Sequence, residues 1–367
     1  MGKSIVEGAN SYAMSIIKQL YIGSKFAILA NNGLVDYSKR GVKTLYREIS
    51  SSAGGLYSKS RGWGVVDGLG YGGQDSVSWK EYEPQYDLAK TIEVDMVDEL
   101  NSYTEGAPSS IEALAEDYIN RHASAEIDAI AASRIYSQVP DTNKFTVDDY
   151  KVDSTNIISS LLAIQAKIKN KYNGTILCFI SNETDANLKT ALLNSPSGVS
   201  ALFKHDTLHI DFNGIDGFTD GEQGLDLDIT YFDKLLLITV PDDRMYTKIT
   251  VYDGYSDGQT DGGFIPAQSE SGFGNIHLLA MPIDSAFLSV KWLITNYLVP
   301  CAMEGVEINT IEVNDLSKKL FGQLEISQAS VNQISNSFRI NNRVLVGADA
   351  INNRKDNIYA ITSTLTA

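Results

Sequence analysis

Histidine and cysteine are scarce in this chain of 367 residues, which has four of the first and two of the second. Cys178 and Cys301 cannot frame a disulfide scaffold, and Cys178 lies in an apolar run that reads as a strand, so both are expected reduced and buried. His205 and His209 stand four apart, but Leu208-His209-Ile210 also reads as a strand. That spacing on a strand separates the rings by roughly 13 Å, too far for one metal. No apolar run approaches the roughly 18 to 20 residues of a membrane span. The amphipathic N-terminus (Ile5, Tyr12, Ile16, Ile17, Leu20) has no cleavage pattern, so no signal peptide is expected.

The motifs of catalysis are equally thin. Gly68, Gly70 and Gly73 have dinucleotide-fingerprint spacing, but the residues that follow read as a strand where the fingerprint needs a helix. Gly254, Ser256 and Gly258 have nucleophile-elbow spacing, yet Gln-Thr-Asp-Gly-Gly-Phe follows and cannot be the helix an elbow requires. The acidic loops Asp211 to Asp228 and Asp253 to Asp261 lack the one-three-five ligand spacing of a calcium hand and leave open only weak calcium binding. No catalytic residue, metal site or cofactor is expected, and the chain does not read as an enzyme.

At 43% hydrophobic and 21% charged, the composition is that of a globular protein with length for two or three core-bearing units. The net charge of −16 is unevenly placed: residues 1 to 61 carry +6, leaving −22 on the remainder. An acidic body does not suit binding along a nucleic-acid backbone, whereas a basic arm suits an acidic neighbour.

One stretch organises the rest. From Pro108 to Pro140 there is no glycine or proline between the end prolines. Ser109 and Glu112 have capping-box spacing and Pro140 denies the next turn a donor. A rod of roughly 40 Å is predicted. Ile111, Leu114, Tyr118, His122, Ala125, Ala129 and Ser133 form its apolar stripe, which narrows after His122 so that the second half can lie close on a sheet. Glu112, Glu116, Asp117, Arg121, Glu126 and Arg134 should face water.

In chain order, residues 41 to 49 alternate with strand period, and eight glycines between Gly54 and Gly73 are interleaved with aromatic and apolar residues. Such a hairpin cannot bury its own side chains and needs another surface. Residues 88 to 98 resume strand alternation. After Pro140 come a helix over 154–172 ending at Asn173-Gly174, a buried strand Thr175 to Ser181 and a helix over 183–194. A strand around Leu208, Ile210 and Phe212 then enters a Gly- and Asp-rich loop over 213–228. Strands are predicted at Leu235 to Pro241, Lys248 to Tyr252 and Ile276 to Met281, with a flexible stretch from Asp253 to Gly274. A helix near Ser285 to Trp292, strand pairs near 306–313 and 320–326, and strands at Arg343 to Val346 and Ile358 to Thr362 complete the reading.

Several phrases stand in order along this series: Gly41-Val-Lys-Thr-Leu, Gly55-Leu-Tyr-Ser-Lys with Trp63-Gly-Val-Val-Asp-Gly, and Ile92-Glu-Val-Asp-Met-Val-Asp-Glu. Ala125-Glu-Ile-Asp-Ala, Val240-Pro-Asp-Asp-Arg-Met, and Arg343-Val-Leu-Val-Gly-Ala-Asp ahead of Asp356-Asn-Ile-Tyr-Ala follow. From about residue 40 to the end the chain resembles the major capsid proteins of tailed bacteriophages, the Hong Kong 97 (HK97-like) type. It departs from the family pattern at Ala125, where a proline is common, and around Asp87-Leu88-Ala89, where an arginine is.

The resemblance implies an α+β fold with an N-terminal arm (1–40), a P-domain strand (41–53) and an extended E-loop hairpin (54–87). It further implies a P-domain over 88–152 with a spine helix at about 110–138, an A-domain over 153–275, P-domain return strands and helix over 276–339, and C-terminal A-domain strands over 340–367. Copies would assemble into the pentamers and hexamers of an icosahedral or prolate head around double-stranded DNA, held by Tyr57, Trp63, Tyr71 and Trp79 of the E-loop and by Lys39, Arg40, Lys43 and Arg47 of the arm. The implied partners are the chain itself, portal, scaffolding or decoration proteins, and packaged DNA bound without sequence specificity on the inner face, with no membrane. A long fused scaffolding segment ahead of the arm is not expected. The implied place is the virion, assembled in the host cytoplasm. An encapsulin-type compartment, a tail tube or sheath protein and a hydrolase using Ser256 are the alternatives.

Overall fold

The computed structural model describes residues 23–30, 35–36, 44–50, 76–95, 113–114, 117–195, 202–211, 224–252, 263–300, 325–326, 329–332 and 337–364. Helix and sheet mix throughout, giving an α+β fold. A 3-10 turn at Lys25–Leu29 precedes β1 (Val35–Asp36), β2 (Thr44–Ser50), β3 (Ser76–Tyr82) and β4 (Tyr86–Asp95). A π turn at Ile119–Ala123 leads into α1 (Ser124–Gln138), and β5 (Lys144–Thr146) follows. Then come α2 (Ile157–Lys169), β6 (Ile176–Ser181), α3 (Asn182–Leu193), β7 (Phe203–Asp211), β8 (Gly224–Phe232) and β9 (Leu235–Val240). The chain continues through a 3-10 turn at Asp242–Arg244, β10 (Ile249–Tyr252), β11 (Gly263–Pro266), β12 (Gly274–Pro282) and β13 (Ala286–Pro300). β14 (Glu325–Ile326), β15 (Ala329–Asn332), β16 (Ser337–Ala350) and β17 (Tyr359–Thr364) close it.

Two large sheets carry the core. One has seven strands in the order β5-β17-β12-β6-β9-β8-β7; the other has five, β14-β13-β16-β4 with β15 also on β13. In β6, Leu177 and Phe179 face one apolar cluster while Ile176, Cys178 and Ile180 face another. β12 divides likewise, with Leu279 and Met281 on one side and Leu278 and Ala280 on the other. Both strands are covered on both faces, which is why they read as continuous apolar runs. α2 and α3 cover the second face through Ile157, Leu161, Ile164, Ile168 and Leu188.

α1 fills the space between the two sheets. Its Ile127, Ile130 and Ile135 share one cluster with Leu177, Phe179 and Leu279 of the seven-stranded sheet and with Leu288, Val290, Val344 and Val346 of the five-stranded one. Each such side chain contributes about 1.5 to 3 kcal/mol on burial, so the helix is a wall common to two cores.

This double coverage corrects the single-stripe reading. Glu126, expected in water, is buried, while Leu114 and His122, expected inside, are exposed. For His122 and Glu126 the π turn supplies the reason. It lodges one extra residue, so the buried face advances by one position, from the expected 122 and 125 to Ala123 and Glu126. Asp117 and Arg121 are exposed as read and pair with each other. Ser109, Ile111, Glu112 and Glu116 lie outside the described residues.

The predicted helix near Ser285 to Trp292 is instead the first part of β13. Ala286, Leu288 and Val290 face the α1 core while Phe287 faces a separate aromatic cluster, and Leu288-Ser289-Val290-Lys291-Trp292 alternates with strand period. Gly224–Phe232, partly expected as loop, is a strand paired with Phe203–Asp211, and Gly263–Pro266 pairs with β10 inside the supposed flexible stretch. Gly274–Pro282 belongs to the seven-stranded sheet and Ser337–Ala350 to the five-stranded one. In that second sheet β13 and β16 run antiparallel from Ala286 opposite Ala350 to Leu298 opposite Arg339, with a register shift between Ile294 and Asn296.

Candidate assembly interface

The β2–β3 hairpin stands apart from both large sheets, forming a three-stranded sheet with β1. Its root is aromatic. Tyr46 stacks on Phe287 of β13 with centroids 4.9 Å apart, and Tyr82 meets the same ring edge-on at 4.9 Å. Such pairs contribute about 0.5 to 1.5 kcal/mol each beyond the area they bury. Burial raises the Tyr82 phenol above its usual range, and its hydroxyl donates to Gln85 Oε1 at 2.6 Å.

From there the polar chain runs inward. Gln85 Nε2 donates to Asp349 at 3.0 Å, and the same carboxylate accepts from Arg134 at 3.2 Å and from Gln138. One carboxylate thus ties the hairpin corner, the last turns of α1 and the end of β16. Asn353 adds a donor to the Ile49 carbonyl at 2.6 Å. Gly347 is required by this packing, since a Cβ there would lie 2.3 Å from the Tyr82 hydroxyl oxygen. A cavity of about 420 Å³ opens beside the root, between Tyr46, Phe287, Arg134 and Lys355.

Outward, the hairpin is poorly covered. Val77 and Trp79 are 58% and 50% exposed, and alternation puts both on one face of β3. β3 is an edge among the described strands. Of the residues predicted to join subunits, Trp79 is therefore exposed and Arg47 half-buried, directly opposite it on β2. Tyr57, Trp63, Tyr71, Lys39, Arg40 and Lys43 lie outside the described residues, as do the glycine-rich stretch, Cys301 and the elbow-like Gly254, Ser256 and Gly258.

A second anchor seats the beginning of the described chain on α1. Asp128 is wholly buried and accepts from Ser24 Oγ at 2.7 Å, the Phe26 amide at 3.1 Å and the Lys25 amide at 3.2 Å. Arg244 donates to it at 2.9 Å and also to the Gly23 carbonyl at 3.2 Å. Burial pushes the Asp128 carboxyl up, while Ser24, Arg244 and the two amides pull it back down. Phe26 stacks on Phe179 at 4.0 Å and so plugs the segment into the sheet. Neither Asp128 nor Arg244 was singled out from sequence. Their signal was a charge inside an apolar phrase, at Ala125-Glu-Ile-Asp-Ala and Val240-Pro-Asp-Asp-Arg-Met.

Other titratable groups have structural surroundings. His277 is buried, which pushes its pKa down against the opposing pull of Glu183, 3.9 Å away, and of Asp242. His205 meets Thr230 at 3.1 Å, and burial raises the Cys178 thiol. Among the described residues no group of three or more His, Cys, Asp or Glu could hold a metal ion, and no helix is long and apolar enough to cross a membrane.

No family model matches the sequence, and no curated protein does. Solved structures do. The chain is similar to one described as the asymmetric unit of bacteriophage PhiM1 mature capsid, at 9% identity and TM-score 0.44, covering 93% of this chain and 87% of that one. The capsid of Ralstonia phage GP4 is similar at 9% identity and TM-score 0.44, covering 92% and 89%. A virus-like particle from Pyrococcus furiosus is similar at 9% identity and TM-score 0.40, covering 96% and 98%.

Proposed function

We propose that this chain is a shell-forming subunit, the major capsid protein of a tailed bacteriophage of the Hong Kong 97 type, which assembles through pentamers and hexamers into a head enclosing double-stranded DNA. The observation that carries the reading is the β2–β3 hairpin. It is locked to the body at an aromatic root and presents Val77 and Trp79 uncovered on its edge strand β3. A subunit that fixes a hairpin firmly and leaves apolar surface uncovered along its edge is built to meet a second copy. The ordered sequence phrases support the same reading.

On this proposal the five-stranded sheet with α1 is the P-domain, the seven-stranded sheet with α2 and α3 is the A-domain, and the hairpin is the E-loop. Residues 1–40 are the arm, with Lys39, Arg40, Lys43 and Arg47 on an acidic neighbour, and Tyr57, Trp63, Tyr71 and Trp79 anchor the E-loop. Portal, scaffolding or decoration proteins would meet the shell, and DNA would lie inside it without base-specific contacts.

Expression of the chain alone, followed by size-exclusion chromatography and negative-stain electron microscopy, tests the proposal. Closed shells, or rings of five and six, are expected, with a crowding agent or scaffold added where assembly is slow. A monomer under all these conditions, or an open filament, would overturn it.

A further inference from the structure

Asn173-Gly174, the stop after α2, sits between two anchored residues. The Tyr172 amide donates to the Ile168 carbonyl at 2.9 Å, and the Thr175 carbonyl accepts from the Ile283 amide at 3.2 Å. Asn173 and Gly174 themselves are exposed, lie outside helix and strand, and have no hydrogen-bond partner among the described residues. Other exposed asparagines differ. The amide after Asn170 donates to the Ile168 carbonyl at 3.0 Å, that after Asn182 to Asp242 at 3.2 Å, and that after Asn194 to the Leu192 carbonyl at 3.2 Å. Asn353 commits its own side chain to the Ile49 carbonyl, and the Arg354 amide behind it donates to the Ile351 carbonyl at 2.8 Å. Packing demands the glycine: a Cβ at Gly174 would lie 2.3 Å from the Tyr172 hydroxyl oxygen. The same missing Cβ leaves the Gly174 amide nitrogen uncrowded beside the Asn173 side chain.

We propose that Asn173 is a site of spontaneous modification, at which the Gly174 amide nitrogen displaces ammonia from the Asn173 side chain and a carboxylate is left behind. The nitrogen gives its proton to solvent and bonds to Asn173 Cγ, and the Cγ–Nδ2 bond breaks as ammonia departs with a proton. Water then opens the five-membered imide at either carbonyl, restores the amide proton and leaves aspartate or isoaspartate. Nothing is oxidised or reduced, and water is the one co-reactant. Nucleophile and carbonyl belong to adjacent residues, so the first step is unimolecular. An unanchored pair can rotate into line without first breaking a bond. Each event adds one negative charge at the α2–β6 connection, so older subunits differ chemically from new ones. This site stands independently of the shell reading.

The test incubates the folded full chain in heavy-oxygen water, digests it in ordinary water, and locates the label by peptide fragmentation. Asn173 should gain about 3 Da, against about 1 Da for incubation in ordinary water. The gain should be faster in mild alkali than in mild acid, because the attacking nitrogen must lose its proton. It should also run about tenfold faster than at Asn182, Asn194 or Asn353, where a hydrogen bond must break first. Site-by-site reading keeps Asn173 apart from Asn32-Gly33 and Asn213-Gly214, which lie outside the described residues. Asn173→Gln should keep the melting temperature and take up no label there, since its longer side chain would have to close a larger ring. No gain at Asn173, a gain no faster than at Asn194, or a gain that requires urea overturns the proposal.

Discussion

Oδ2 of Asp128 lies 2.9 Å from a guanidinium nitrogen of Arg244, across 116 positions of sequence. Around that contact the helix between the sheets, the turn after β9 and the first described residues of the chain meet at one carboxylate.

Asp128→Ala should therefore cost more than an ordinary polar deletion. It strands the Arg244 charge and leaves Ser24 Oγ and two amides without their acceptor. Breaking a buried pair from one side costs about 3 to 5 kcal/mol. Urea unfolding measures the loss, and limited proteolysis should cut near Gly23 sooner. A loss under about 1 kcal/mol would mean that the pair behaves as a surface one.

Glu126 makes a pH prediction. Burial raises its pKa, against the pull of Lys90. The folded form then holds its proton longer than the unfolded chain does. This contribution to stability is complete below the usual glutamate value of about 4.3 and is lost as pH rises through the raised pKa. Glu126→Gln should match the parent in acid and exceed it at neutral pH. Melting curves of both proteins across that range would show the difference growing with pH; a constant offset would contradict it.

Gly347→Ala should loosen the hairpin without touching it in sequence. The new Cβ would meet the Tyr82 hydroxyl oxygen at 2.3 Å and Cε1 at 2.7 Å, on a buried ring that also packs edge-on with Phe287. Overpacking of this kind costs about 1 to 3 kcal/mol. Hydrogen exchange in β2 and β3 should quicken more than in β6. Equal quickening would place the strain elsewhere.

Trp79→Ser separates folding from assembly. The side chain is half exposed, so the monomer should melt within about 0.5 kcal/mol of the parent. Shells or rings should become rare by negative-stain microscopy, because an aromatic anchor at an interface contributes about 2 kcal/mol or more. Normal particles would remove Trp79 from the interface.

Legibility in the sequence followed how each element is covered. α2 announced itself through Ile157, Leu161 and Ile168 and the Asn173-Gly174 stop, and α3, legible as a helix over 183–194, is capped in the structure by Ser181 Oγ accepting from the Thr184 amide. β13 hid behind its opening Ala286-Phe287-Leu288, a short apolar run without a period, although Leu288-Ser289-Val290-Lys291-Trp292 alternates as a strand does. The phase of the long helix was lost at Ile119–Ala123, where one extra residue in a turn leaves no mark in composition. Trp79 could be picked out as a large apolar residue with no local partner. Asp349 could not, since its value lies in Gln85, Arg134 and Gln138, which the fold alone brings to it.

The ribbon of β13 and β16 gives the molecule a stiff axis. Its fifteen-residue strand extends roughly 50 Å, and its hydrogen bonds lie across that direction. Tension along the ribbon loads those bonds in shear, all together, whereas a pull on the β2–β3 hairpin falls on the few contacts at its root. The shift between Ile294 and Asn296 marks where the stiff member itself would begin to yield.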